Sequence, residues 1–151
     1  MVYYHKNIGN LPLFVRVIVD NPTETTANIR VLQDDAGYFI ERFVPDHSVT
    51  ACHIYFPDPW PKKRHRKRRL FKQDFLGHIE RTLISGGTVD IATDYVEYYE
   101  EMIALLEVSD VLNKMEDIPE RVKSLGEIRT NFETKYVAEG RPIYRKGYEK
   151  H

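Results

Sequence analysis

A near-continuous apolar run from Val49 to Phe56 constrains the fold of this chain more than any other stretch. A run of this length without an alternating polar face is typical of a strand buried on both faces of a parallel sheet. It ends in Pro57-Asp58-Pro59-Trp60-Pro61, and a segment dense in cations follows at once. The prolines restrict φ on both sides of Asp58. The stretch therefore predicts a buried strand whose end presents a fixed carboxylate beside positive charge.

The cationic segment runs from Lys62 to Arg69 and holds seven of the 22 Lys and Arg residues. The net charge of the chain is only −1, so the rest of it is acidic. Such a distribution steers a polyanion to one place instead of coating the surface with it. The segment could be a solvated face, a localisation signal or a phosphate-binding surface. Its position between a strand and a helix of one domain favours the phosphate-binding surface.

Short apolar segments alternate with helical patterns along most of the chain. The predicted order is a strand at Ile29–Leu32, a short helix around Tyr38–Phe43, a strand at Val49–Phe56, a helix over Phe71–Leu83 that ends at Gly86-Gly87, a strand at Thr88–Thr93, and a helix from about Tyr95 to Leu106. The apolar stretch Leu11–Val19 fits either a strand or a buried helix. This alternation predicts an α/β fold with a mostly parallel sheet, and 151 residues predict a single domain.

Three aspartates, Asp35, Asp58 and Asp94, each follow a predicted strand. Ligands of open α/β sheets bind at the carboxyl ends of the strands, so the three carboxylates are expected at one edge. A single aspartate after a strand more often caps the next helix. Three of them together with the cationic segment favour a binding site.

Two further features have two interpretations each. Trp60 offers a flat face on which a nucleic-acid base could stack, or it covers the core. Thr130 and Glu133 have the spacing of a capping box at a helix start. A carboxylate there could also accept hydrogen bonds from the Watson–Crick edge of a guanine.

The remaining composition narrows the possible functions. The only cysteine, Cys52, lies in an apolar run, which predicts an inert thiol and a reducing compartment. The six histidines lack ligand spacing, so no metal site is expected. No apolar stretch approaches the roughly 20 residues that span a bilayer. We therefore expect a cytoplasmic protein without a membrane partner, whereas monomer and homodimer remain equally open.

Three separated motifs in this order resemble the bacterial tRNA (guanine-N7-)-methyltransferases. They are Phe56-Pro57-Asp58-Pro59-Trp60-Pro61-Lys62-Lys63-Arg64-His65 with Lys67-Arg68-Arg69, then Thr93-Asp94, then Thr130-Asn131-Phe132-Glu133-Thr134-Lys135 with Gly140-Arg141-Pro142-Ile143-Tyr144. The similarity extends from about Ile29 onward. It implies a Rossmann-like fold that transfers a methyl group from S-adenosylmethionine to N7 of a guanine in the variable loop of tRNA.

The resemblance also implies roles for individual residues. Asp35 and Ala36 would contact the adenine of the cofactor, and Asp58 would be both a cofactor contact and the catalytic acidic residue. The substrate-binding residues would be Lys62, Asp94, Thr130, Asn131, Phe132 and Glu133, although the family more often has lysine at the position of Asn131. The tRNA backbone would be contacted by Arg64, His65, Arg66, Lys67, Arg68 and Arg69.

The chain departs from the family near its N-terminus. It contains no G-x-G motif, and Ile8-Gly9-Asn10 matches the second strand of the family only loosely. The domain is therefore expected to be partial, lacking a central strand, so that two strands are left without a neighbour. Two hypotheses follow: an S-adenosylmethionine-dependent tRNA methyltransferase, or a non-catalytic RNA-binding remnant of one.

Overall fold

The computed structural model describes the backbone of residues 2–5, 14–18, 29–33 and 131–133, and complete residues at 35–116 and 134–151. Within these residues, seven strands form one sheet: β1 (Val2–His5), β2 (Phe14–Ile18), β3 (Ile29–Gln33), β4 (Val49–Tyr55), β5 (Leu83–Thr93), β6 (Leu112–Lys114) and β7 (Tyr144–Lys150). The helices are α1 (Ala36–Phe43), α2 (Gln73–Thr82), α3 (Val96–Glu107) and α4 (Asn131–Ala138), and a 3₁₀ helix covers Lys63–Arg68. The predicted α/β class is confirmed.

The strand order is β3-β2-β1-β4-β5-β7-β6. Among the described strands, β1–β4 and β4–β5 pair in parallel, whereas the flanking pairs β1–β2, β2–β3, β5–β7 and β6–β7 are antiparallel. The expectation of a mostly parallel sheet therefore holds for the centre, and the sheet as a whole is mixed. Hydrophobic patterning reports burial, not strand direction, which is why the sequence did not reveal the antiparallel flanks.

Strand β1 corrects the expectation that two strands lack a neighbour. Val2–His5 lies between β2 and β4 and pairs with both. β-branched and aromatic residues favour strands, and an open position in a sheet exposes backbone groups that need partners. Strand β2 also decides the ambiguous stretch Leu11–Val19, because Phe14–Ile18 within it is extended.

The core lies on one face of the sheet. Strands β4 and β5 contribute alternate residues, including Cys52, Ile54, Val89 and Ile91, and helices α1, α2 and α3 pack against them. Strand β4 is buried along most of its length, as the apolar run predicted. Helix α3 matches the predicted segment to within one residue at each end.

The Gly86-Gly87 pair has a different role from the predicted helix stop. Helix α2 ends at Thr82, and β5 begins directly at Leu83. Gly86 has φ +72° within an irregularity of the β4–β5 pairing. A Cβ on Gly87 would lie 2.8 Å from the Ile84 carbonyl oxygen and 3.1 Å from that of Val49. The pair therefore shapes a bulge in the strand instead of capping the helix.

Candidate nucleic-acid and catalytic site

The three predicted aspartates follow strands that end at the same edge of the sheet. Strands β3, β4 and β5 run in one direction, as the alternation of parallel and antiparallel pairs requires. Asp58 and Asp94 follow adjacent strands, whereas Asp35 follows a strand three positions from β4, roughly 14 Å at the usual strand spacing. The edge therefore brings Asp58 and Asp94 together and sets Asp35 apart.

Asp35 also has the helix-capping role that was considered for it. It is the N-cap of α1, and its Oδ1 accepts a hydrogen bond of 3.0 Å from the backbone N–H of Tyr38. The carboxylate is exposed, and Ala36 beside it is buried in the core. Capping and ligand binding remain compatible at this position.

The loop after β4 holds Asp58 between two residues with left-handed backbones. Phe56 has φ +51° and Trp60 has φ +41°, a conformation that costs side-chain-bearing residues of order 1–3 kcal/mol. The backbone N–H of Phe56 donates to the Ala92 carbonyl at 2.7 Å, which extends the β4–β5 pairing by one residue. Asp58 itself is half-buried. The strained backbone adds to the restriction that the prolines were predicted to impose.

Within the cationic segment, five side chains face solvent: Lys62, Lys63, Arg64, Lys67 and Arg68. They form what we call the outward cations. His65 is half-buried, with its ring edge-on to Trp60 at 5.9 Å between centroids. These residues keep a geometry suited to contact with an RNA backbone.

Two arginines of the segment are turned inward, and one of them corrects the sequence interpretation. Arg69 is 3% exposed, and its guanidinium forms ion pairs with Glu97 and Glu101 on α3. Arg66 is half-buried and pairs with the same two carboxylates, at 2.5 Å to Glu97 Oε1 and 3.8 Å to Glu101 Oε1. Arg69 therefore cannot reach an RNA backbone, because its charge is buried and neutralised inside the domain.

Trp60 fits neither of its two interpretations completely. It is half-buried, so it is not a core residue, and the guanidinium of Arg68 lies over its ring at 5.1 Å from the centroid. The ring is thus part of a cation–π pair at the surface.

Asp94 is held by an arginine that sequence reasoning did not single out as a site residue. Arg141 Nη1 donates to Asp94 Oδ2 at 2.9 Å, and Arg141 Nε lies 2.9 Å from Glu139 Oε2. The hydrogen bond to Asp94 raises the pKa of Arg141 above its ordinary value. Arg141 belongs to the Gly140–Tyr144 motif, and that was its only signal in the sequence. The pairing with Asp94 spans 47 positions and could not be read from spacing.

Helix α4 lies against the same edge. The ring of Tyr136 packs edge-on against buried Phe56 at 5.5 Å between centroids, and the guanidinium of Arg141 lies over the same Tyr136 ring at 4.7 Å from its centroid. Thr130 falls outside the described residues, and only the backbone of Asn131, Phe132 and Glu133 is described, as the first turn of α4. The packing nonetheless attaches the helix carrying the third motif to the loop that carries Asp58.

A buried polar pair on the sheet was also missed by sequence reasoning. His53 Nδ1 lies 3.1 Å from Asp90 Oδ2, with both side chains buried. On the opposite face of β4, burial raises the pKa of the Cys52 thiol to about 12, which keeps it protonated.

Among the residues that the structure describes, no group of three or more His, Cys, Asp or Glu side chains could hold a metal ion. No described helix is long and apolar enough to cross a bilayer.

A family model described as "Putative methyltransferase" matches residues 11–146 of the chain. A tRNA (guanine-N(7)-)-methyltransferase of Nitrosococcus oceani is 35% identical over 141 residues, which cover 93% of this chain and 56% of the relative. An enzyme of the same name from Neisseria meningitidis serogroup A is 41% identical over 105 residues, 70% of this chain and 42% of the relative. The chain thus spans about half the length of the curated relatives it matches.

Two solved structures are similar at 15% sequence identity. One is a SAM-dependent O-methyltransferase from Thermotoga maritima, with a TM-score of 0.40 over 74% of this chain and 37% of the other. The second is the aminoglycoside resistance methyltransferase NpmB1, with a TM-score of 0.35 over 70% of this chain and 54% of the other.

Proposed function

We propose, since this chain belongs to the tRNA (guanine-N7-)-methyltransferase family, that it takes part in methyl transfer from S-adenosylmethionine to N7 of a guanine in tRNA. One observation carries the proposal: the adjacent ends of β4 and β5 place Asp58 and Asp94 at the sheet edge, and the outward cations follow the Asp58 loop directly. Carboxylates for a base and cations for a backbone are what a guanine in RNA requires.

The reaction makes modest demands on acid–base chemistry. Guanine N7 carries a free lone pair, so no strong base is needed, and the enzyme mainly aligns the nucleophile and excludes water. When bound, S-adenosylmethionine supplies an electrophilic methyl group. The base becomes cationic as N7 is methylated, and a carboxylate at a fixed position stabilises that charge. Asp58, held between Phe56 and Trp60, is the residue suited to this role.

Recognition of the guanine is assigned to carboxylates on its Watson–Crick edge. The usual bidentate arginine contact would occupy O6 and N7, and so would block the reacting atom. Asp94 is the described candidate, and Glu133 in the first turn of α4 is the second. Because Asp94 already accepts a hydrogen bond from Arg141, guanine binding there replaces or shares that contact.

The residues at the end of β3 fit the adenine half of the cofactor. Asp35 provides an exposed carboxylate, and α1 begins at Ala36, where backbone N–H groups have no partner within the helix. A Cβ on Gly37 would lie 3.2 Å from Asp35 Oδ1, so glycine leaves room beside the carboxylate. Backbone donors beside a carboxylate acceptor are what an adenine edge needs.

The competing hypothesis is a non-catalytic RNA-binding remnant of such an enzyme. A calorimetric titration of the chain with S-adenosylmethionine separates the two. The enzyme hypothesis predicts saturable one-site binding that Asp35→Asn weakens. Asp74→Asn is the matched control, because Asp74 is an exposed aspartate in the first turn of α2. Absence of heat on titration, together with retained tRNA binding, would favour the remnant.

A further inference from the structure

We infer that Arg69 is a positioning residue, which holds the loop carrying Asp58 and Trp60 in the conformation needed for methyl transfer. The inference rests on the proposed function for its catalytic consequence. Its structural part concerns the loop alone and can be tested without any turnover.

Arg69 contacts the loop directly. Arg69 Nε donates a 2.8 Å hydrogen bond to the carbonyl oxygen of Pro59. That carbonyl belongs to the peptide group between Pro59 and Trp60. Because the hydrogen bond limits rotation of this peptide group, it also restrains the φ angle of Trp60. Trp60 has φ +41°, which persists only if the surroundings restrain it. At the other end of the loop, Phe56 is restrained by its hydrogen bond to Ala92.

The guanidinium of Arg69 is held by side chains of helix α3. It lies over the ring of Tyr98 at 4.8 Å from the centroid and forms ion pairs with Glu97 and Glu101. The Tyr98 hydroxyl also accepts a 3.0 Å hydrogen bond from the backbone N–H of Phe71. Helix α3 therefore holds the Arg69 guanidinium through the Tyr98 ring and the two glutamates. It also holds the backbone at Phe71 through the Tyr98 hydroxyl.

The energetics of burial favour a positioning role for Arg69. Burying a guanidinium is costly unless ion pairs and hydrogen bonds compensate, and an apolar residue of similar volume often packs as well or better. An apolar residue could not hold the Pro59 carbonyl. Lysine could keep the charge, but its single ammonium lacks the planar fork that reaches the carbonyl and both glutamates at once. The arrangement thus requires arginine for geometry, not for charge.

The test uses the fluorescence of Trp60, which is the only tryptophan of the chain. In Arg69→Lys, the acrylamide quenching constant of Trp60 is expected to rise about twofold as the loop loosens. Arg81→Lys is the matched control, because Arg81 likewise donates to backbone carbonyls, those of Ile40 and Val44, away from the loop. That variant should quench like the parent chain even if its melting temperature falls equally.

Should Arg69→Lys not fold, Glu101→Gln replaces it, since it weakens the support of Arg69 without changing side-chain shape. A smaller rise in quenching is expected there. Quenching equal to that of the parent chain in the folded variants overturns the inference.

Methyl-transfer kinetics supply the functional arm. Arg69→Lys should lower kcat roughly 10- to 100-fold, as small misplacements of reacting groups do, with little change in the KM for tRNA. A raised KM with unchanged kcat would instead return Arg69 to the RNA-contacting residues and overturn the inference. If the parent chain itself transfers no methyl group, the proposed function fails, while the quenching result still decides the role of Arg69.

Discussion

The salt dependence of tRNA binding tests the division of the cationic segment into outward and inward charges. Each phosphate contact contributes about 0.9 to the slope of log K against log salt for a duplex, and about 0.7 for a single strand. If all five outward cations contact phosphates, the slope is about −4.5, and affinity falls about 500-fold between 50 and 200 mM salt. Replacing Lys63 and Lys67 with Gln should reduce the slope to about −2.7 and the loss to about 40-fold.

Two control variants make this prediction specific to the outward cations. Arg66→Gln should change the slope little, because Glu97 already neutralises that charge at 2.5 Å. Lys114→Gln should not change it, since Lys114 is paired with Glu107 at 3.3 Å outside the segment. Fluorescence anisotropy of labelled tRNA at four or more salt concentrations gives each slope. If Arg66→Gln reduced the slope as much as the replacement of one outward cation does, the division into outward and inward charges would be refuted.

Three further outcomes follow from the structure. Asp58→Asn should abolish methyl transfer while tRNA affinity stays close to that of the parent chain; retained turnover would remove Asp58 from the catalytic role. Burial raises the pKa of Tyr98 from 10 to about 12, so the native state keeps a proton that the unfolded chain releases. Between pH 10 and about pH 12, this group should therefore lower the free energy of unfolding by about 1.4 kcal/mol per pH unit. Tyr98→Phe should flatten that decline, as measured by urea titrations at several pH values. Gly87→Ala should destabilise the domain by about 1–3 kcal/mol, because its Cβ would meet backbone oxygens, whereas Gly77→Ala in α2 should stabilise it by roughly 0.5–1 kcal/mol, since nothing lies within 4 Å. Thermal melts that rank these two variants in the opposite order would contradict the packing.

The elements near the site were predictable because local patterns determine them. The buried strand at Val49–Tyr55 and the helix at Val96–Glu107 follow from an apolar run and from helical periodicity. The shared edge for Asp58 and Asp94 then follows from topology alone. Strand β1 was not predictable, because the pairing between Val2–His5 and β4 joins residues 50 positions apart.

The burial of Arg69 has a partial signal in the sequence. Arg69 directly follows the 3₁₀ helix Lys63–Arg68, and its backbone N–H donates to the carbonyl oxygen of Arg66, so the two residues three apart lie on one face. Glu97 and Glu101 are four apart on α3 and also share a face. Spacing thus indicates one pair of cations and one pair of carboxylates, each on a single face. It does not show that the two pairs contact each other. The Arg141–Asp94 contact left no comparable signal, since it depends on how α4 packs.

The most direct test of the proposed function is methyl transfer to a tRNA transcript in which the target guanine is replaced by 7-deazaguanine. This base keeps the Watson–Crick edge and lacks only the N7 nucleophile. With labelled S-adenosylmethionine, we expect incorporation into the guanine transcript and none into the 7-deazaguanine transcript, while both bind equally. Equal incorporation into the two transcripts, or none into either despite binding, would contradict the proposed function.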